Sequence, residues 1–255
     1  MATPETFIYG RNPLLDAIVA GKRFDKIIVQ KDISGADVAK LKATALAAGI
    51  TLQTVPREKI ERVIGWQQAK TANHQGVLGF LSLVEYYTLD DALHSAFTKG
   101  EDPLIVLLDG ITDVHNFGAI ARSAECLGAH AIVVHQAGSA QINGEAMKAS
   151  AGALSKILVC REKSLVTAIK FLKANGLKVF GTDMQDATPI DEVDFTMPCV
   201  LVMGSEGDGI SPQVLKFCDE RISIPMLGTT ESLNVSVSAG IALYEVMRRR
   251  KQSAI

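Results

Sequence analysis

Two five-residue runs, LIVLL (104–108) and CVLVM (199–203), are the longest strictly apolar stretches in this chain of 255 residues. A strand covered on both faces reads as such a continuous run, whereas a strand with one wet face alternates. A membrane-spanning helix needs about 20 apolar residues, so none is expected. Weaker β-branched runs recur at 26–29, 51–55, 131–134, 157–159, 178–180 and 222–224. Helical spacing fills several of the gaps. Residues 36–48 place Val38, Leu41, Ala45 and Leu46 on one side with Gly49 as a stop, and 164–174 do the same with Leu165, Ala168, Ile169 and Leu172 before Gly176. Alternating strand and helix signals with doubly buried strands predict an α/β fold with a largely parallel sheet.

The chain is 47% hydrophobic with a mean hydropathy of +0.19, enough for packed cores and against disorder. A boundary is expected in LVEYYTLDDALHSAFTKGEDP, which lacks a strong strand run and carries a short helix at 89–97. The predicted organisation is a small αβ unit (1–82), a linker (83–102) and a larger α/β domain (103–255). Residues 1–82 hold 11 Lys and Arg against 7 Asp and Glu; the remainder holds 15 against 21. A basic front end beside an acidic body permits a nucleic-acid partner without establishing one. The N-terminus, MATPETFIYGRNP, does not read as a signal peptide. Cys126, Cys160, Cys199 and Cys218 lie far apart with no CxxC, as expected of buried, reduced thiols in a cytoplasmic protein rather than of a zinc site.

Ligands of open α/β sheets bind beyond the carboxyl ends of strands. Three such loops concentrate the polar and glycine residues: DGITDVHNFGAIAR after LIVLL, GSEGDGIS after CVLVM, and PMLGTTESLNVSVSAG after the strand run at 222–224. Each has a plainer reading. GSEGDGIS suits a strand-to-helix turn with Ser211 as cap and Pro212 at the first helical position. Asn116 suits another cap, and Arg122 a solvated helix residue. Asn234, in the apolar-alternating SLNVSVS, is expected to be half buried and so to need hydrogen-bond partners. Familiar nucleotide and hydrolase signatures are missing: there is no GxxxxGK[ST], no GxSxG and no HExxH, and Pro212 stands where a GxGxxG would need its third glycine.

Together, NFGAIAR (116–122), GSEGDGI (204–210) and IPMLGTTESLNVSVSAGIALYE (224–245), in that order, resemble the three motifs of the SpoU/TrmH family of RNA ribose 2′-O-methyltransferases, within the SPOUT superfamily. YGRNPLLDAI (9–18) and HQGVLGFL (74–81) resemble the two ends of the family's N-terminal substrate-binding module. The likeness is nearest to the branch that methylates guanosine in 23S ribosomal RNA. Val114 and Phe117 stand where relatives often carry Pro and Leu, and Ser238 where Ala or Thr is common; the polar signature is intact.

The resemblance implies a knotted parallel-sheet catalytic domain with a deep C-terminal trefoil knot, preceded by a small αβ RNA-binding domain. It implies a homodimer with its active site near the interface, S-adenosylmethionine as cofactor and no metal. By motif match, Gly204, Ile224 and Leu233 contact the cofactor, with Met203, Pro225, Met226 and Val235 nearby. Glycine at 204 suits close approach of backbone to a ligand. Asn116, Arg122, Glu206, Ser232 and Asn234 match the catalytic constellation. Arg122 is either a base, a bidentate phosphate holder or an electrostatic stabiliser; a guanidinium with pKa above about 12 argues against the first. Glu206 either pairs with Arg122 or caps the adjacent turn. Arg11, Lys22, Arg23, Lys26 and Lys31 are the expected RNA contacts. Arg248–Lys251 either joins them or answers the helix macrodipole. Three functions stay open: a ribosomal RNA ribose methyltransferase, a relative acting on transfer RNA or on a base, and a non-enzymatic RNA-binding protein on the same scaffold.

Overall fold

The computed structural model describes residues 7–65, 71–229 and 232–253. The chain divides into two compact units between Leu83 and Val84.

The first unit runs β1 (Phe7–Tyr9), α1 (Arg11–Val19), β2 (Phe24–Gln30), α2 (Ala36–Ala47), β3 (Thr51–Val55), α3 (Arg57–Ile64) and β4 (Val77–Leu81). Its sheet has the order β1-β4-β2-β3, with β4 antiparallel to its neighbours and β2 parallel to β3. Side chains alternate across the sheet. Ile27 and Val29 join Leu14, Ile18 and Leu41 beneath α1 and α2, while Ile28 joins Val55, Ile60 and Leu78 beneath α3.

The second unit continues with β5 (Tyr86–Tyr87), α4 (Leu89–Thr98), β6 (Leu104–Leu108), α5 (Val114–Cys126), β7 (Ala131–His135), α6 (Gly144–Ala149), β8 (Leu158–Glu162), α7 (Leu165–Ala174), β9 (Lys178–Thr182), β10 (Thr188–Pro189), β11 (Cys199–Met203), α8 (Pro212–Leu215), β12 (Glu220–Ser223) and α9 (Val235–Ser253). Its sheet is parallel throughout, in the order β10-β12-β9-β11-β6-β7-β8-β5. β6 and β11 are neighbours, and every residue of both is buried. Leu104, Val106 and Leu108 face α5, α6 and α9; Ile105 and Leu107 face α4, α7 and α8. Helices on both faces are what continuous apolar runs demand.

The stretch read as a linker is structured. β5 pairs with β8, and α4 buries Leu89, Ala92, Leu93 and Ala96 in the second unit's core. A capping box starts that helix: Thr88 and Asp91 each bond the other's backbone N–H. The weak strand signal reflects a two-residue edge strand, too short for periodicity to show.

Cys160 and Cys199 are buried as expected and Cys218 is half-buried; burial pushes the Cys160 thiol up to about 12 and those of Cys199 and Cys218 up to about 11. Cys126 is instead exposed, at the end of α5.

The basic tail of α9 has Arg250 and Lys251 in the last turn, and its arginines have partners of their own. Arg248 bonds both oxygens of Glu245, and Arg249 bonds Oε1. These partners, Arg248 first, hold the Glu245 carboxyl below the usual carboxylate range. Arg250 donates to the carbonyl oxygens of Asp102, Pro103, Phe195 and Met197 at 2.6–3.2 Å, tying α9 to the approach to β6. Arg250→Ala is expected to lower stability by about 3 kcal/mol, since charge-assisted bonds to part-buried carbonyls go unreplaced. Arg250→Lys should recover only part, because one ammonium cannot span four acceptors. Urea unfolding of the two variants measures both; an unchanged midpoint for Arg250→Ala would refute the clamp.

Candidate active site

Strand order sets the position of the site. β6 leads to β7 and β8 on one side, and its other neighbour is β11, so the loops leaving β6 and β11 open side by side at the switch point of the sheet. The two are stitched together: Asp109 N donates to Met203 O, and Asp109 Oδ2 accepts from Ser211 N at 2.8 Å.

Asp113, rather than Asn116, caps α5, accepting from the backbone of His115 and Asn116. That leaves the Asn116 amide free to reach across to the β11 loop. Its Nδ2 donates to Glu206 Oε1 at 3.2 Å. Asn234 caps α9, with Oδ1 accepting from Ser236 N at 2.9 Å. Its Nδ2 donates to Asn116 Oδ1 at 3.0 Å and to Glu206 Oε1 at 2.5 Å. Val235 N adds a longer bond to the same oxygen. Glu206 therefore sits at the start of α9, where the helix dipole favours a carboxylate. Asn234 is exposed rather than half buried, because SLNVSVS starts a helix instead of alternating as a strand.

The structure thus brings Asn116, Glu206 and Asn234 together. Arg122 is not part of that knot of bonds. It lies six residues beyond Asn116, about 9 Å along the helix axis. It shares the exposed face of α5 with His115 and Cys126, and Glu206 makes no ion pair with it among the described residues. Of the two readings of Glu206, capping is the one observed.

Beside this cluster opens a cleft of about 670 Å3. Met203, Gly204, Ile224, Met226, Leu233 and Val235 line it, as does Ser232; Pro225 is exposed and is not among the lining residues. Residues 230 and 231 of the third motif lie outside the described residues. Thr182 at the end of β9 and the loop 183–185 that follows also line the cleft and were missed from sequence. The signal was available, a polar turn closing the strand run at 178–180, but it holds no glycine-rich motif. Asp183 folds that turn by accepting from the backbone of Met184 and Gln185.

Gly204 lines the cleft and is also needed by the chain's own packing. A Cβ there would lie 2.1 Å from the Gly209 carbonyl carbon and 2.2 Å from Ile210 N. The turn 205–209 folds back on β11 that tightly, closed by two Ser205–Gly209 backbone bonds of 3.0 Å. Gly118 likewise serves packing, since a Cβ would meet Ala149 Cβ of α6 at 2.5 Å.

The five expected RNA contacts do not form one patch. Lys22 and Arg23 precede β2 and Lys31 follows it; Arg11 opens α1, and Lys26 lies mid-strand over the Phe80 ring, 5.2 Å from its centroid. Among the described residues, no group of three His, Cys, Asp or Glu is placed to hold a metal ion.

Comparison with known proteins gives the arrangement a context. The family model described as SpoU rRNA Methylase matches residues 103–244, and that described as RNA 2′-O ribose methyltransferase substrate binding matches residues 7–87. A Bacillus subtilis protein named as a TrmH family tRNA/rRNA methyltransferase, YacO, is 34% identical over 250 residues, covering 98% of each chain. The SpoU methyltransferase AviRb of Streptomyces viridochromogenes, crystallised with the cofactor AdoMet, is 25% identical with a TM-score of 0.60, covering 96% of this chain and 90% of that one. A TrmH/SpoU tRNA modifying enzyme from A. aeolicus is 33% identical with a TM-score of 0.56, over 60% of this chain and 78% of its own.

Proposed function

Because this chain belongs to the SpoU rRNA methylase family, we propose that it transfers a methyl group from S-adenosylmethionine to a ribose 2′-oxygen of RNA, at a guanosine of 23S ribosomal RNA. The observation that carries this reading is the Asn116–Glu206–Asn234 cluster, built at the rim of the cleft from all three motif loops.

The cleft fits the cofactor. Its volume lies in the usual range for small-molecule sites. Ile210, Ile222, Ile224 and Leu233 offer apolar walls for a purine, and Thr182, Asp183, Ser223 and Ser238 offer polar groups for a ribose and an amino acid. When bound, its sulfonium supplies an electrophilic methyl group. The residues of the chain then align the ribose oxygen and favour loss of its proton. Glu206 Oε1 is committed to Asn116 and Asn234, which fixes that carboxylate at the start of α9. Ser232 and Asn234 border the place where a ribose would lie. Arg122 serves by holding a phosphate or stabilising the developing alkoxide.

The protein works as a homodimer in this reading. Val237, Ile241 and Tyr244, at a spacing of 4 and 3 residues, are exposed along one side of the first half of α9. An exposed apolar row of that kind suits burial against a second copy. The trefoil-knotted path and work in the cytoplasm belong to the same reading. The likeness to a tRNA modifying enzyme favours transfer RNA as the second candidate substrate.

The deciding experiment supplies labelled S-adenosylmethionine with unmodified 23S ribosomal RNA and, separately, transfer RNA, and then maps the product. A 2′-O-methylguanosine in 23S RNA is expected. Label on a base, or no incorporation into either RNA, would sink the proposal.

A further inference from the structure

β1, β2 and β3 all run parallel, with β4 opposed, so the carboxyl ends of three strands share one end of the N-terminal sheet. The chain enters β4 at that same end through His74, Gln75 and Gly76. Hydrogen bonds knit the end together. Arg11 donates its backbone N–H to Gln75 Oε1 at 2.9 Å and Nε to Gln75 O at 3.3 Å. Gln30 N reaches Gly76 O, and Lys31 N reaches Val55 O, each at 2.7 Å. Asp32 and Gln75 hold positive φ here, at 70° and 51°, conformations that folds keep mostly where they serve a purpose.

The groups presented at this end suit one kind of ligand. The Arg11 side chain is held by its Nε, leaving both terminal nitrogens without a partner among the described residues. Lys31 is exposed and equally unpartnered among them, and Arg57 starts α3 nearby, paired with Glu61 at 2.7 Å. Asp32, Glu58 and Glu61 temper the field, so this end is suited to defined contacts rather than to bulk positive charge. Tyr9 closes β1 on the same face as Phe7, with ring centroids 6.3 Å apart, and is 38% exposed. An exposed ring beside cations takes an unpaired base on its face and the flanking phosphates on the cations. Lys22 and Arg23 lie at the other end of the seven-residue β2, about 20 Å away, where Ser82 N bonds Arg23 O as the chain leaves the unit.

We propose that single-stranded RNA engages the N-terminal unit at the end carrying Tyr9, Arg11 and Lys31, and not at the end carrying Lys22 and Arg23. This rests on the reading of the chain as an RNA methyltransferase. The test uses the full chain and an end-labelled, short single-stranded RNA of mixed sequence, with affinity measured across a salt series. Lys31→Glu is expected to weaken binding about tenfold and to flatten the salt slope by about 0.7 for the lost phosphate contact. Tyr9→Ala should also weaken it about tenfold, and Tyr9→Phe, which keeps the stacking face, should bind as the unaltered chain does. Lys22→Glu should stay within about twofold, because its end of β2 makes no contact with the RNA. Thermal melts of each variant establish folding. Methyl transfer by the unaltered chain, run in parallel, keeps the two readings apart. If that chain methylates RNA while Lys22→Glu loses more affinity than Lys31→Glu, or Tyr9→Phe binds as poorly as Tyr9→Ala, the inference is overturned alone. If the unaltered chain has no affinity for RNA, the underlying reading falls and the inference with it.

Discussion

Replacing Arg122 with alanine is expected to cut methyl transfer at least about a hundredfold, the scale on which a single stabiliser of developing charge acts. Affinity for the cofactor should stay within about twofold, because Arg122 lies on the exposed face of α5 and is not among the residues lining the cleft. Arg122→Lys should remain poor, since an ammonium cannot reproduce the planar fork on a phosphate or ribose oxygen. Single-turnover rates paired with calorimetry on S-adenosylhomocysteine separate the two effects. Near-normal turnover of Arg122→Lys would show that charge alone suffices. Loss of cofactor binding in Arg122→Ala would place the residue in the cleft after all.

Gly204→Ala should be the most damaging single methyl group in the second unit. Its Cβ would stand 2.1 Å from one backbone atom of the 205–210 segment and 2.2 Å from another, so the turn has to open rather than a side chain swing away. The expected cost is on the order of 3 kcal/mol, with cofactor affinity lowered at least about tenfold as the cleft wall moves. Gly207→Ala is the control. It lies in the same turn, a Cβ there meets nothing within 4 Å, and its φ is not positive, so melting should be unchanged. A Gly204→Ala protein that melts and binds like the unaltered chain would falsify this account of the turn.

Both variants bear on how much was legible beforehand. The glycine at 204 is visible in the sequence, but its role in the chain's own packing is not. A glycine beside a presumed ligand loop invites the idea that a ligand needs the space. That the chain itself needs it depends on a turn whose bonds, Ser205 to Gly209, no residue pattern announces. Arg122 and Glu206 are likewise marked by motif, with pairing between them and capping both left open by the sequence. Asn116 and Asn234 bond the carboxylate, and no ion pair joins Arg122 to it among the described residues. Asp113 was overlooked as the cap of α5, although an Asp three residues before Asn116 is the ordinary sign of one.

What the sequence determined alone is whatever depends on neighbours a few residues apart. Leu104–Leu108 and Cys199–Met203 had to be strands buried on both faces, because no other short element hides every side chain of an unbroken apolar run. The helix over Leu165–Ala174 followed from its apolar spacing, and the methylase motifs from residue order. Tertiary structure decided everything that joins distant segments. Asn116 and Glu206 stand 90 residues apart and meet because β11 slots beside β6, a choice of strand order that two equally apolar strands do not encode locally. Lys22 and Lys31 look like parts of one basic stretch, yet a strand separates them by its full length. Arg250 looks like one more cation in a row of three arginines, yet it holds four carbonyls from two segments. Asn116 and Arg250 find their partners through the parallel sheet of the second unit, which gathers the ends of strands that lie far apart along the chain.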